Sequence, residues 1–128
     1  MWFGDLVTMH WWNDLWLKES FADFMGAVNM TQNPALQNYK NADQLFLNFL
    51  NDAVQADIKK TTHAISSKVN TTEDATLVFD AISYKKGASF IKQMSHFLGE
   101  TILRDGMTEY FSKFAMKNTS LPDFTQCC

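Results

Sequence analysis

The sequence predicts an all-α fold, on three observations. Apolar residues recur three and four positions apart over several long stretches. No stretch alternates apolar and polar residues convincingly enough for a strand. The two prolines, Pro34 and Pro122, fall where connections between helices are expected.

Residues 13–30 form the first predicted helix. Leu17, Phe21, Phe24 and Val28 share one face, and Trp12, Leu15, Trp16, Ala22 and Gly26 lie opposite. Asp14 and Lys18, four apart, mark a narrow solvated stripe. A helix apolar almost all round is normally buried. A second helix is predicted over residues 34–59, with Asn33 as its cap and Pro34 in its first turn. Its buried face reads Leu36, Tyr39, Ala42, Leu45, Phe46, Phe49, Leu50, Ala53 and Val54. A polar connection follows over 60–72. Residues 73–84 read as a short helix or turn with Leu77, Val78, Ala81 and Ile82 inward. Phe90, Ile91, Met94 and Phe97 give a helix over 87–98 that Gly99 ends. A last helix over 100–116 carries Ile102, Leu103, Tyr110, Phe111 and Phe114.

The 128 residues, 46% of them hydrophobic, suit one domain or part of a larger one. Eleven basic against fourteen acidic side chains leave a net charge of −3. A nucleic-acid partner would call for clustered Lys and Arg, and the doublets Lys59-Lys60 and Lys85-Lys86 are too sparse. No apolar run approaches the roughly 20 residues of a membrane span. The Trp-rich opening lacks the basic polar face of an interfacial helix, which argues against membrane binding by this segment. The only cysteines, Cys127 and Cys128, are adjacent and form neither a disulfide framework nor a CxxC zinc site. His10, His63 and His96 do not pair at ligand spacing and read as structural or exposed. Trp11, Trp12 and Trp16 read as core packing. Nothing in the sequence indicates a compartment.

Glu19 and Asp23 are harder to place. Four apart on a helix, they share a face with Trp12, Trp16 and Gly26. A carboxylate on an apolar face must be paired, hydrogen-bonded or bound to a metal. The residues leave these possibilities open.

The opening stretch WFGDLVTMHWWNDLWLKESFADF resembles the segment after the zinc-binding helix of the alanyl-aminopeptidase family of zinc metallopeptidases, family M1. In that family an HExxH helix supplies two His ligands and a Glu general base. The third ligand is a Glu separated from the second His by as many residues as run from 1 to 18 here. The resemblance therefore implies that Glu19 is a zinc ligand. FDAISYKKGASFIKQM is similar to the segment carrying the family's catalytic tyrosine, which falls on Tyr84. Without that resemblance Tyr84 reads as an ordinary half-buried tyrosine. Asp23 matches an acid that, in related zinc peptidases, orients a zinc-bound histidine. Lys18 and Ser20 stand where many members have Asn and Gly, which bears on the shape of the substrate pocket. His10 lies where the family takes Lys or Arg, at the surface.

The implied fold is the helical part of a thermolysin-like (gluzincin) catalytic domain, with residues 1–121 its C-terminal part and 122–128 a tail. The implied cofactor is one zinc ion, the substrate a peptide that loses its N-terminal residue, and the partner the remainder of the catalytic domain. Neither HExxH nor the family's Gly-x-Met-Glu-Asn motif occurs in these 128 residues. The chain is thus expected to be a fragment, inactive in isolation, that starts just after the second His. The alternative is a non-catalytic helical remnant or protein-interaction module.

Overall fold

The computed structural model describes residues 1–39 and 42–128, with the side chains of 37–43 outside the description. Six α-helices dominate: α1 (Leu15–Gln32), α2 (Ala42–Asp57), α3 (Thr72–Leu77), α4 (Gly87–Leu98), α5 (Glu100–Phe114) and α6 (Leu121–Cys127). Helix α1 is the central element, packed against α2, α4 and the turn that precedes α4. Its Leu17, Phe21, Phe24 and Ala27 enter the main core, as their spacing requires. The helix is not buried all round, however: Ala22 and Gly26 are exposed.

Two three-residue strands depart from the all-α expectation. β1 (Val7–Met9) and β2 (Lys117–Thr119) pair in parallel, Val7 opposite Lys117 and Met9 opposite Thr119. The pairing ties the segment before α1 to the segment after α5. Met116, at φ 62°, makes the left-handed turn into β2, and its N–H donates to Leu6 (2.7 Å). Strands this short cannot display alternation, so only the partner reveals them.

The second predicted helix is divided. A 3-10 stretch, Pro34–Tyr39, follows the Asn33 cap, whose Oδ1 accepts from Ala35 N–H (2.9 Å), and α2 begins at Ala42. Phe46, Phe49 and Ala53 are buried, but Leu50 and Val54 are exposed and join Leu47 and Ile58 in an apolar strip facing solvent. The side chains of Tyr39 and Ala42, also expected inward, lie outside the described residues.

Later elements match their predicted spans more closely than their predicted faces. Thr71 and Asp74 form a capping box that starts α3. Leu77 is 76% exposed rather than inward, while Ile82 is buried as expected. On α4, Ile91 is buried but Phe90 and Phe97 are exposed, Phe97 at 87%. Gly99, at φ 87°, makes the break between α4 and α5 in a conformation that favours glycine. Ile102 is exposed, whereas Leu103 and Tyr110 are buried. Residues after 120 form α6, begun by a second capping box between Ser120 and Asp123, and its Phe124 is buried.

Asp14 was expected on a solvated stripe with Lys18. It is instead buried, and its Oδ2 accepts from the Leu121 N–H (3.0 Å), joining the start of α1 to the start of α6. Trp11 is 48% exposed, so only Trp16 of the expected tryptophan cluster is fully in the core. Among the described residues no helix is long and apolar enough to cross a membrane.

Candidate active site

Glu19 and Asp23 sit one turn apart on α1. They face Ile82–Lys86, a π-helical turn that leads without a break into α4. Such wide turns interrupt the regular ladder and are frequent at functional sites. Asp80 starts this one: its Oδ1 accepts from the N–H groups of Ile82 (2.9 Å) and Ser83 (3.2 Å). The Ser83 hydroxyl turns back onto the Val78 carbonyl. The result aims Tyr84 at α1.

Each expected site residue has a defined neighbour. Glu19 pairs with Lys18 (2.6 Å), its side chain 15% exposed. The Tyr84 hydroxyl lies close enough to the Glu19 carboxylate for that carboxylate to act on the phenol's proton. Burial pushes the Tyr84 phenol up to about 12, and the Glu19 hydrogen bond and the charges of Glu19 and Asp23 add to the rise. The phenol is therefore neutral near pH 7 and able to donate. Asp23 does not stand alone: its Oδ2 accepts from Lys85 Nζ (2.9 Å). Thus Tyr84, remote in sequence from Glu19 and Asp23, joins them in one cluster.

Two residues at this cluster were not expected from the sequence as part of it. Ser20 is fully buried and its hydroxyl donates to the Ser83 carbonyl (2.6 Å). Lys85 holds Asp23 and lies 4.0 Å from the centroid of the Phe49 ring on α2. The available signals were slight: Ser20 departs from the family's usual glycine, and Lys85 is half of a doublet. The neighbouring Lys86 points elsewhere and pairs with Asp57 (2.8 Å).

A Ser–His–Asp set outside this cluster resembles a nucleophile relay and is not one. His63 Nε2 lies 3.0 Å from Asp80 Oδ2, and Nδ1 lies 3.3 Å from Ser67 Oγ. Nδ1 also faces the Ala64 carbonyl at 2.8 Å, an acceptor to which it can only donate. The Ser67 hydroxyl itself donates to the same carbonyl (2.5 Å), so it has no base. The set pins the polar connection to the turn, consistent with a structural His63. His10 and His96 are exposed.

The donor chemistry fits only one corner of a zinc site. Zinc takes three or four protein ligands, and among the described residues no group of three or more His, Cys, Asp or Glu could hold a metal. Glu19 is a suitable oxygen ligand, but the described residues do not complete a site from their own side chains.

The family model for the peptidase family M1 domain matches residues 1–128. This chain belongs to peptidase family M1. It is similar to the aminopeptidase N of Streptomyces lividans, 40% identical over 124 residues that make up 96% of this chain and 14% of that protein. Human aminopeptidase N is 39% identical over 121 residues, 92% of this chain and 12% of that protein. A leucyl aminopeptidase of Saccharolobus solfataricus is 38% identical over 122 residues, 95% of this chain and 15% of that protein. The M1 chain thus spans between 12% and 15% of the length of these relatives. Membership of M1, a zinc-dependent peptidase family, agrees with the resemblance read from the two motifs, and the mainly helical fold agrees with the predicted class.

Proposed function

We propose that this chain is part of the catalytic domain of a zinc aminopeptidase, in which Glu19 is a metal ligand and Tyr84 a catalytic hydrogen-bond donor. The observation that carries the reading is that the Ser20–Ser83 bond (2.6 Å) and the Lys85–Asp23 pair (2.9 Å) bring together the segments of Glu19 and Tyr84, the two residues singled out by the two motifs. The substrate is a peptide, and the reaction removes its N-terminal residue. Residues 1–121 supply the C-terminal part of that catalytic domain, and 122–128, rather than a loose tail, complete helix α6 with Phe124 in the core.

The roles follow from the chemistry of the side chains. A zinc ion, when bound, would polarise the scissile carbonyl as a Lewis acid. Glu19 offers a carboxylate beside the Lys18 ammonium and the Tyr84 phenol. Tyr84 keeps its proton near pH 7 and can donate to the oxygen that gains charge at the attacked carbonyl. Asp23 presents Oδ2 to Lys85, which leaves Oδ1 for the ring N–H of a histidine ligand supplied from elsewhere in the domain. Two histidine ligands and the general base lie outside these 128 residues, so the isolated chain binds zinc poorly and does not turn over peptides.

The exposed strip Leu47, Leu50, Val54 and Ile58 supports a place within a larger body, where the remainder of the catalytic domain would cover it. The same strip supports the second reading, a non-catalytic protein-interaction module.

The test is a longer chain that includes the HExxH helix, assayed for zinc content and for release of an N-terminal residue from an aminoacyl anilide. Zinc-dependent turnover is expected. Glu19→Ala should lose tight zinc. Tyr84→Phe should retain zinc and lower kcat by about 10²–10³-fold, the effect of removing one oxyanion donor. Intact zinc in Glu19→Ala would refute the ligand assignment, and no turnover in the longer chain would favour the interaction module.

A further inference from the structure

We infer that Ser20 and Lys85 are positioning residues that fix the Tyr84 phenol against the Glu19 carboxylate. The inference rests on the reading of Glu19 and Tyr84 as site residues. Ser20 follows Glu19 and Ser83 precedes Tyr84, so the Ser20–Ser83 bond of 2.6 Å joins the two backbones one residue from each functional side chain. Gly87 makes room for it, because a Cβ on Gly87 would overlap the Ser20 hydroxyl. On the other side of Tyr84, Lys85 reaches Asp23 Oδ2 at 2.9 Å, one turn beyond Glu19. Its ammonium also rests on the Phe49 ring of α2. Tyr84 is therefore flanked by two residues, each bonded to the helix that carries Glu19.

Packing alone does not supply this placement. Ile82 and Ala88 bury the turn and set its depth, but apolar contact is non-directional. A hydrogen bond has a preferred angle as well as a distance, so the Ser20 and Lys85 bonds set the rotation of the turn about its axis. That rotation decides where a side chain as long as Tyr84 places its oxygen.

The test uses the 128-residue chain, isotope-labelled, and reads the nuclear Overhauser cross-peak between the Tyr84 ring and the Glu19 side chain. Lys85→Met keeps the aliphatic stem and removes the charge; Lys85→Arg keeps the charge and the contact with Phe49. Loss of the cross-peak is expected in Lys85→Met and in Ser20→Ala, with its retention in Lys85→Arg and the remaining backbone spectrum unchanged. A cross-peak of wild-type intensity in Lys85→Met, or equal loss in Lys85→Arg, would overturn the proposal. If Ser20→Ala does not fold, the two Lys85 variants decide alone. The readout needs neither metal nor turnover, so failure of the peptidase reading, seen in zinc content and activity, remains distinguishable from failure of the clasp.

Discussion

The aromatic end of the molecule and the site end are held by different forces. Phe3, Phe21, Tyr110, Phe111 and Phe124 cluster where β1, α1, α5 and α6 converge, with ring centroids 5.1 to 6.4 Å apart. Few polar bonds enter that cluster; the Tyr110 hydroxyl meets Thr119 at 2.6 Å. At the site end, α1 meets the π-helical turn through Ser20, Glu19 and Asp23. Large rings bury much apolar area without prescribing an angle. Polar bonds prescribe an angle yet contribute only about 1 kcal/mol each, net of water. Stability and site geometry are therefore separable here: one end supplies most of the free energy, the other most of the orientation.

The sharpest way to break that comparison is at the aromatic end. Phe21→Ala should destabilise the chain by about 3–5 kcal/mol in urea unfolding, because it removes a buried ring and leaves a cavity. A loss below about 1 kcal/mol would mean that the cluster is not where the stability resides. A smaller effect is expected at the close approach of α1 to α4. Gly87→Ala should cost about 1–3 kcal/mol through overpacking against Ser20. That cost should shrink in a Ser20→Gly background, and equal costs in the two backgrounds would show that the approach is not tight.

The smallest effect concerns pH. Hydrogen bonds from the Ser120 N–H (2.9 Å) and hydroxyl (2.8 Å) hold the Asp123 carboxyl below the ordinary aspartate value of 3.8. The unfolded chain then binds the proton more readily than the folded one. The contribution of this cap is present above pH 3.8 and fades as pH falls through the lower folded value. Asp123→Asn should flatten that part of the acid limb in a stability–pH profile. An unchanged profile would remove Asp123 from the account.

Legibility varied along the chain for physical reasons. Helical spacing exposed α1, α4 and α5 because side-chain period is a local property of the backbone. It could not say whether an apolar face has a neighbour, so Leu50, Val54 and Leu77 read as inward and stand outward. The 3-10 stretch Pro34–Tyr39 was hidden because Pro34 reads equally well as the first residue of a long α-helix or of a 3-10 stretch. The strands were invisible because each is three residues long and its partner lies at the other end of the chain. Asp14 was misplaced for a similar reason: the Leu121 N–H that satisfies it is far away in sequence. Of the proposed site residues, Glu19 and Tyr84 were singled out by their motifs, whereas Ser20 and Lys85 were not, since their partners are on another element.

The sequence by itself determined the helical class, the identity of the two motifs, and the demand that carboxylates on an apolar face find partners. That demand follows from the cost of an unpaired buried charge, wherever the partner comes from. Tertiary structure alone decided which remote partners they found: Tyr84 for Glu19, Lys85 for Asp23, Leu121 for Asp14. Periodicity and spacing report one segment's needs, while a hydrogen bond at 2.6–3.0 Å between remote segments exists only once the core has brought their backbones together.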